Sequence, residues 1–265
     1  MITQNFTHWR QLLPILFIVF LALGNLNAAE LEEDQSVGEF HYFSVTDPAG
    51  FIEAIDKHYD SECAEKWQQT SGAIVLLGQL SGDQATHVIY VGYPNYRKMA
   101  EGRGLFRSCA ETPAMLATIS RTTNTNNYSN VIFEGVMAFN TESLQKYYVK
   151  TDVRIGTAME AEYSKAFVAF LADYAAKDNV APDSYANFVK KSHHGINRVL
   201  FGNKVASHYI YFGGTDLDSL ILNMKAMLSS EAYTSFNESV EDMRIVQNSA
   251  LMEVIKAYPV ERETK

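Results

Sequence analysis

Cysteine is scarce in this sequence. It has two, Cys63 and Cys109, and neither belongs to a C-x-x-C pair or a metal-type spacing, so thioredoxin-like and zinc-ribbon roles have no support. A G-x-S-x-G elbow, an H-E-x-x-H helix and an EF-hand loop are all missing, and Gly102-Arg103-Gly104 matches neither a P-loop nor a dinucleotide fingerprint. After residue 24 no apolar run approaches the roughly 20 residues that a membrane-spanning helix needs. Basic charge is in deficit, with 22 Lys and Arg against 31 Asp and Glu and a net charge of -9. An acidic surface of this kind repels phosphate backbones, which argues against nucleic acid and anionic membrane surfaces as partners.

What is present is an ordinary globular composition, 47% hydrophobic and 20% charged over 265 residues, with a targeting element in front. His8 and Arg10 precede the apolar run Leu12 to Gly24, and Asn25 to Ala29 offers a small-residue exit. This predicts a signal peptide over 1–29 and a periplasmic or secreted protein without stable membrane insertion once the signal is removed. Pro14 within the run and an imperfect A-x-A site keep an uncleaved anchor as the less favoured alternative. Losing Arg10 takes the net charge from -9 to -10, and the mature chain would open on an acidic segment, 30–39. In an oxidising compartment two cysteines permit a Cys63–Cys109 disulfide; two buried thiols are the other option.

Phe40 to Val45 is aromatic and short and reads as a strand. Asp47 as N-cap and Pro48 at the first helical position then start a helix with Phe51, Ile52, Ile55 and Tyr59 on one face. Gly72 to Gly78 and Thr86 to Gly92 form a hairpin around Ser81-Gly82-Asp83. A helical region follows Pro94-Asn95, is expected to break near Gly102 and Gly104, and resumes near Thr112-Pro113. The segment Thr122 to Asn130 suits an unpacked surface loop, and Val131 to Phe139 closes the unit as a strand. A second pass runs from a strand at Tyr147 to Ala158 through the stripe Tyr163, Phe167, Phe170, Leu171 and Tyr174, a short helix around Tyr185 to Lys191, and a hairpin from Gly195 to Gly213. Thr215 with Asp218 resembles a capping box, Leu217 to Leu228 is helical, and Ala250 to Tyr258 is the last strand.

The two passes echo one another. Thr86-His87-Val88-Ile89-Tyr90-Val91-Gly92 returns 121 residues later as Ser207-His208-Tyr209-Ile210-Tyr211-Phe212-Gly213. The stripe starting at Phe51 returns 116 residues later at Phe167. This predicts an α+β chain of two tandem ferredoxin-like (β-α-β-β-α-β) units, 40–140 and 141–260, with a tail over 261–265. Each unit covers one sheet face with its helices, so the two sheets are expected to pack against each other as an intramolecular α+β barrel.

At the level of topology, from Phe40 to Pro259, the sequence resembles the dimeric α+β barrel superfamily in its single-chain tandem form. The resemblance implies a site in the barrel interior. It also implies a choice among cofactor-independent monooxygenases of the antibiotic-biosynthesis type, haem-binding or haem-degrading proteins, chlorite dismutase-like and dye-decolourising peroxidase-like enzymes, and non-enzymatic binding modules.

The leading expectation is a small, largely apolar ligand in the barrel or between the repeats. The alternatives are a monooxygenase or haem-linked oxidoreductase, and a structural module with no ligand site. Candidate ligand-binding residues are His87 and His208, which are matched in the repeats and could ligate haem iron or act as bases. Tyr90 and Tyr211 could line a cavity, and Arg97 and Arg103 of a basic cluster with Lys98 and Arg107 could hold a carboxylate or phosphate. At His87 and His208 a solvent-facing residue at a strand start is the competing reading, and His41 and His58 read as ordinary surface or half-buried residues.

Overall fold

The computed structural model describes residues 35–258 apart from 71, 83–84, 142–143, 177–185 and 204. The expected signal peptide, most of the acidic segment and the C-terminal tail lie outside the described residues. The first unit runs β1 (Val37–Phe43), α1 (Pro48–Tyr59), α2 (Glu62–Gln68), β2 (Ala73–Ser81), β3 (His87–Tyr93), α3 (Tyr96–Ser108), α4 (Thr112–Thr122) and β4 (Ser129–Phe139). The second repeats the order with β5 (Tyr147–Ile155), α5 (Glu160–Ala176), α6 (Ala186–Lys191), β6 (His194–Phe201), β7 (His208–Gly214), α7 (Leu217–Leu228), α8 (Glu231–Ser239) and β8 (Arg244–Tyr258). No helix among the described residues is long and apolar enough to cross a membrane.

The strands close into one antiparallel barrel in the order β1-β3-β2-β8-β5-β7-β6-β4, with β4 returning to β1. Each unit contributes four neighbouring strands in the ferredoxin-like arrangement. The units are sewn at two seams, β2 to β8 and β4 to β6, so neither sheet keeps a free edge. The repeated hairpin occupies matching registers, with Phe43 opposite His87 and Val153 opposite His208.

Strand alternation sorts side chains to two sides. Phe40, Val75, Leu77, Val88, Phe133, Tyr209 and Met252 point inward and form the barrel core. The opposite faces lie under helices, around Phe51, Ile55, Leu76 and Ile119 in the first unit and around Tyr163, Phe167, Phe170, Phe212 and Phe236 in the second. The predicted stripe on α5 is buried at every position named, from Tyr163 to Tyr174.

Four local expectations are corrected. Helix α3 runs unbroken through Gly102 and Gly104. At 102 a glycine is needed for close approach, because a Cβ there would stand 2.6 Å from the Tyr93 ring. The α7 cap is Asp216, not Thr215: its carboxylate accepts the Ser219 N–H at 2.8 Å. Strand β8 starts at Arg244, six residues before Ala250, because its first part pairs with β5 and its last part with β2. The loop after α4 is not unpacked: Tyr128 sits with its ring 5.2 Å from that of Phe43.

Candidate functional site

Thr86 and Ser207 explain the echo. The Thr86 N–H donates to the Phe43 carbonyl (2.9 Å), its carbonyl accepts the Gln79 N–H (2.8 Å), and its hydroxyl accepts the Val45 N–H (2.9 Å). Ser207 repeats this with the Val153 carbonyl (3.0 Å), the Val199 N–H (2.8 Å) and the Ile155 N–H (2.8 Å). One hydroxyl residue thus clamps three chain segments in each unit. The histidine that follows rests Nδ1 on that hydroxyl, at 3.0 Å for His87 and 2.9 Å for His208.

Both imidazoles face outward, beneath helices of different units. The His87 ring lies 5.7 Å from that of Phe51 on α1, and His208 Nε2 lies 2.6 Å from Glu160 Oε2 on α5. Burial lowers both pKa values, against the opposing pull of Glu160 at His208. The matched histidines therefore do not converge with Tyr90 and Tyr211, which line the interior. As a pair they do not share one haem iron, since they lie beneath helices of different units and His208 Nε2 is held by the Glu160 carboxylate. The group Cys63, Cys109 and Glu111 is the one set of clustered metal-type ligand atoms among the described residues. Its thiols are consumed in a Cys63–Cys109 disulfide.

Two cavities among the described residues bear on the candidates. The first, about 400 Å³, lies between the sheet and helices of the first unit. Its walls are mostly apolar, with Ile55, Trp67, Ile74, Ile89, Phe106 and Ile119. One side carries a polar chain built on β1, where Glu39 and His41 are two residues apart and share a face. Arg103 on α3 grips Glu39 with two hydrogen bonds, Nε to Oε1 at 2.9 Å and Nη2 to Oε2 at 2.6 Å. His41 Nε2 is 3.3 Å from Glu39 Oε2, and His41 Nδ1 is 2.9 Å from Tyr128 Oη. Burial opposes the charge on Glu39, yet the bonds from His41 and Arg103 prevail and bring its pKa down to about 2. The ring of His58 packs edge-on against Phe106 at 5.5 Å, and its Nδ1 is buried without a hydrogen-bond partner. In the second unit the equivalent space is filled by Tyr163, Phe167, Phe170 and Phe236, the last two with ring centroids 5.0 Å apart.

The basic cluster is split. Arg103 and Arg107 border the cavity, Arg97 is exposed outside it, and Lys98 pairs with Glu101 at 2.9 Å. The carboxylate held by Arg103 belongs to the protein.

The second cavity, about 510 Å³, is inside the barrel. Tyr90, Tyr148, Tyr209 and Tyr211 reach into it together with His193, Lys150 and Asn197. Lys150 is ion-paired to Asp152 and stands 5.1 Å above the Tyr209 ring. Burial works against its charge, but Tyr42 and Asp152 outweigh burial and raise its pKa. His193 Nδ1 is 3.0 Å from Tyr148 Oη and its Nε2 is 3.1 Å from Tyr211 Oη. Burial, with His194 next to it, lowers the His193 pKa to about 4.

Glu39 and Tyr128 are not singled out by their sequence context, and His41 reads as an ordinary surface or half-buried residue. The available signal was the i, i+2 spacing of Glu39 and His41 within an aromatic strand. His193 and His194 precede Gly195 at a strand start, where only one can face a given cavity and exposure of at least one is expected; instead His194 is buried and His193 is half-buried, held by partners on two other strands.

No family model matches the sequence, and no curated protein matches it. Solved structures do resemble it in shape. An anthrone oxidase-like protein superposes with a TM-score of 0.54 at 12% identity, covering 85% of this chain and 94% of its own. A proposed monooxygenase from Fusobacterium nucleatum gives 0.52 at 10% identity, covering 86% and 95%. The chain has the dimeric α+β barrel fold. In this fold two ferredoxin-like units share one eight-stranded barrel, here within a single polypeptide. A haem-binding protein from Thermus thermophilus is a more distant structural neighbour, with a TM-score of 0.45 at 11% identity, covering 85% and 92%.

Proposed function

We propose that this α+β barrel binds a small, largely apolar ligand in the sheet–helix cavity of its first unit, with an oxygen of the ligand at the Arg103, His41 and Tyr128 side. The observation that carries this is the difference between the two units. The same layer is solid aromatic packing in one and an apolar cavity beside a half-buried ion pair in the other. Apolar walls with a few convergent polar groups are what ligand pockets provide.

A second reading is favoured by the chain Tyr128–His41–Glu39. With Nε2–H donated to Glu39, His41 Nδ1 accepts the Tyr128 proton, so a base oriented by a carboxylate stands at the cavity edge. Such a pair can draw a proton from an acidic C–H or phenolic group. A carbanion made this way reacts with dioxygen without a bound cofactor, which is chemistry open to a monooxygenase-type barrel.

Anthrone serves as probe for both readings. In a Trp9→Phe background, Trp67 is the remaining tryptophan and lines the cavity. Saturable quenching of Trp67 by anthrone is expected, with its loss in Ala64→Phe, which fills the cavity while circular dichroism confirms folding. Equal quenching in both proteins would overturn the ligand reading. Oxygen uptake with anthrone that disappears in His41→Gln would establish the second reading. A Soret shift on adding hemin that survives in the filled variant would move the ligand elsewhere.

A further inference from the structure

The barrel interior carries a second set of polar groups, and it is independent of the cavity under the first unit's helices. Tyr148 Oη accepts the Gln145 backbone N–H at 3.0 Å and lies 3.0 Å from His193 Nδ1. A neutral imidazole has one donor and one acceptor nitrogen. His193 Nε2 lies 3.1 Å from Tyr211 Oη, so the imidazole donates to one of these two hydroxyls and accepts from the other. With the ring proton on Nε2, the Tyr211 hydroxyl proton is turned to the cavity. Tyr90, Tyr209 and the Asn197 amide also line the cavity and make no side-chain hydrogen bond among the described residues. Buried polar groups are as a rule paired with protein, water or ligand.

The space around these hydroxyls is shaped by glycine. A Cβ at Gly92 would fall 2.4 Å from Tyr90 Oη, and one at Gly195 would fall 2.8 Å from Tyr211 Oη. At one end the cavity is bounded by Thr141 and Leu144, which are exposed, so it reaches the surface. The remaining wall is apolar, including Phe40, Leu77, Phe133 and Met252.

Charge narrows the ligand class. The Lys150 ammonium is already neutralised by Asp152, so a buried anion would find no unpaired cation and would bear its full desolvation cost. The Tyr90 and Tyr209 phenols and the Asn197 amide N–H are donors, joined by Tyr211 when His193 carries its proton on Nε2, so they select acceptor oxygen. From this convergence of Tyr90, Tyr209, Tyr211 and Asn197 on one cavity, we infer that the barrel interior is a second binding site, for an uncharged carbonyl compound with an apolar body.

The probe is 6-propionyl-2-dimethylaminonaphthalene, whose emission responds to hydrogen bonding at its ketone and to the polarity around its ring. The full chain is expected to bind it saturably with blue-shifted emission. The Tyr90→Phe/Tyr211→Phe double variant, which keeps shape and removes two donors, should weaken binding at least tenfold and shift the emission further to the blue. Ala64→Phe, which fills the other cavity, should leave both readings unchanged. Unchanged affinity in the double variant overturns the inference, as does loss of binding in Ala64→Phe alone. If the double variant unfolds, Asn197→Leu is the independent test, with a threefold or greater loss expected and an unchanged constant counting against the site. Anthrone quenching of Trp67 is scored separately, so failure of either site is read without the other.

Discussion

Arg198 of β6 donates to Glu134 of β4 across the seam between the two units. The same guanidinium also holds Glu160 of α5, with Nε 2.6 Å from Oε2. Tyr96 of α3 donates to Glu134 from the first unit, and His208 closes the chain on Glu160 from the second. Arg198→Leu leaves the buried Glu134 carboxylate without its cation. Removing one member of a fully buried pair costs about 3–5 kcal/mol. Arg198 itself is 41% exposed, so the expected loss is smaller, about 1–3 kcal/mol, read as a lower urea midpoint with an unchanged m-value.

Acid should destabilise the fold in two windows. The folded pKa of His193, about 4, lies below the ordinary imidazole value, so between about 6.5 and 4 the unfolded chain binds the extra proton and stability falls as pH falls. The Glu39 carboxyl has a folded pKa of about 2, below its ordinary value of 4.5. Its contribution is present above the unfolded value and is lost as pH drops through 4.5 toward 2. Denaturation midpoints followed against pH should show a shallower first slope in His193→Gln and a shallower second slope in Glu39→Gln, the remainder coming from groups such as His87, His208 and Glu160. A slope that is undiminished in the matching variant refutes the assignment.

The Cys63–Cys109 disulfide closes a loop of 46 residues that includes β2, β3 and α3. Loop closure of that length stabilises by about 3–4 kcal/mol in the chain-entropy account. Reduction, or the Cys63→Ser/Cys109→Ser pair, should lower the thermal midpoint and leave the Arg198→Leu effect additive, because the two features lie on different elements.

Two glycines on α3 should respond with opposite sign. A Cβ at Gly104 meets nothing within 4 Å, so Gly104→Ala should stabilise by up to about 1 kcal/mol through helix propensity. At Gly102 the added methyl strikes Tyr93, whose hydroxyl accepts the Trp67 indole N–H at 3.1 Å. Overpacking of this kind costs about 1–3 kcal/mol and outweighs the propensity gain. Gly102→Val should also red-shift Trp67 emission.

The architecture was legible because both units announce their strands and helices by alternation and stripe, and because Thr86 to Gly92 reappears as Ser207 to Gly213. The reason for that reappearance was not legible. The hydroxyls of Thr86 and Ser207 are fixed by backbone groups from strands more than forty residues away, and the histidines beside them turn to the helix layer. Glu39 looked like the end of an acidic tail until Arg103, 64 positions on, was brought onto it by α3. Likewise, α3 looked broken at Gly102 because propensity cannot see Tyr93. In each case the deciding partner lies on another element, so no local pattern could show it.

A barrel assembled from two identical chains must carry every cavity twice, since a change that hollows one subunit hollows its mate. Fusion removes that constraint. With Phe167, Phe170 and Phe236 filling one layer, the second unit is free to serve as rigid support, while substitutions in the first can reshape a pocket without weakening both halves at once.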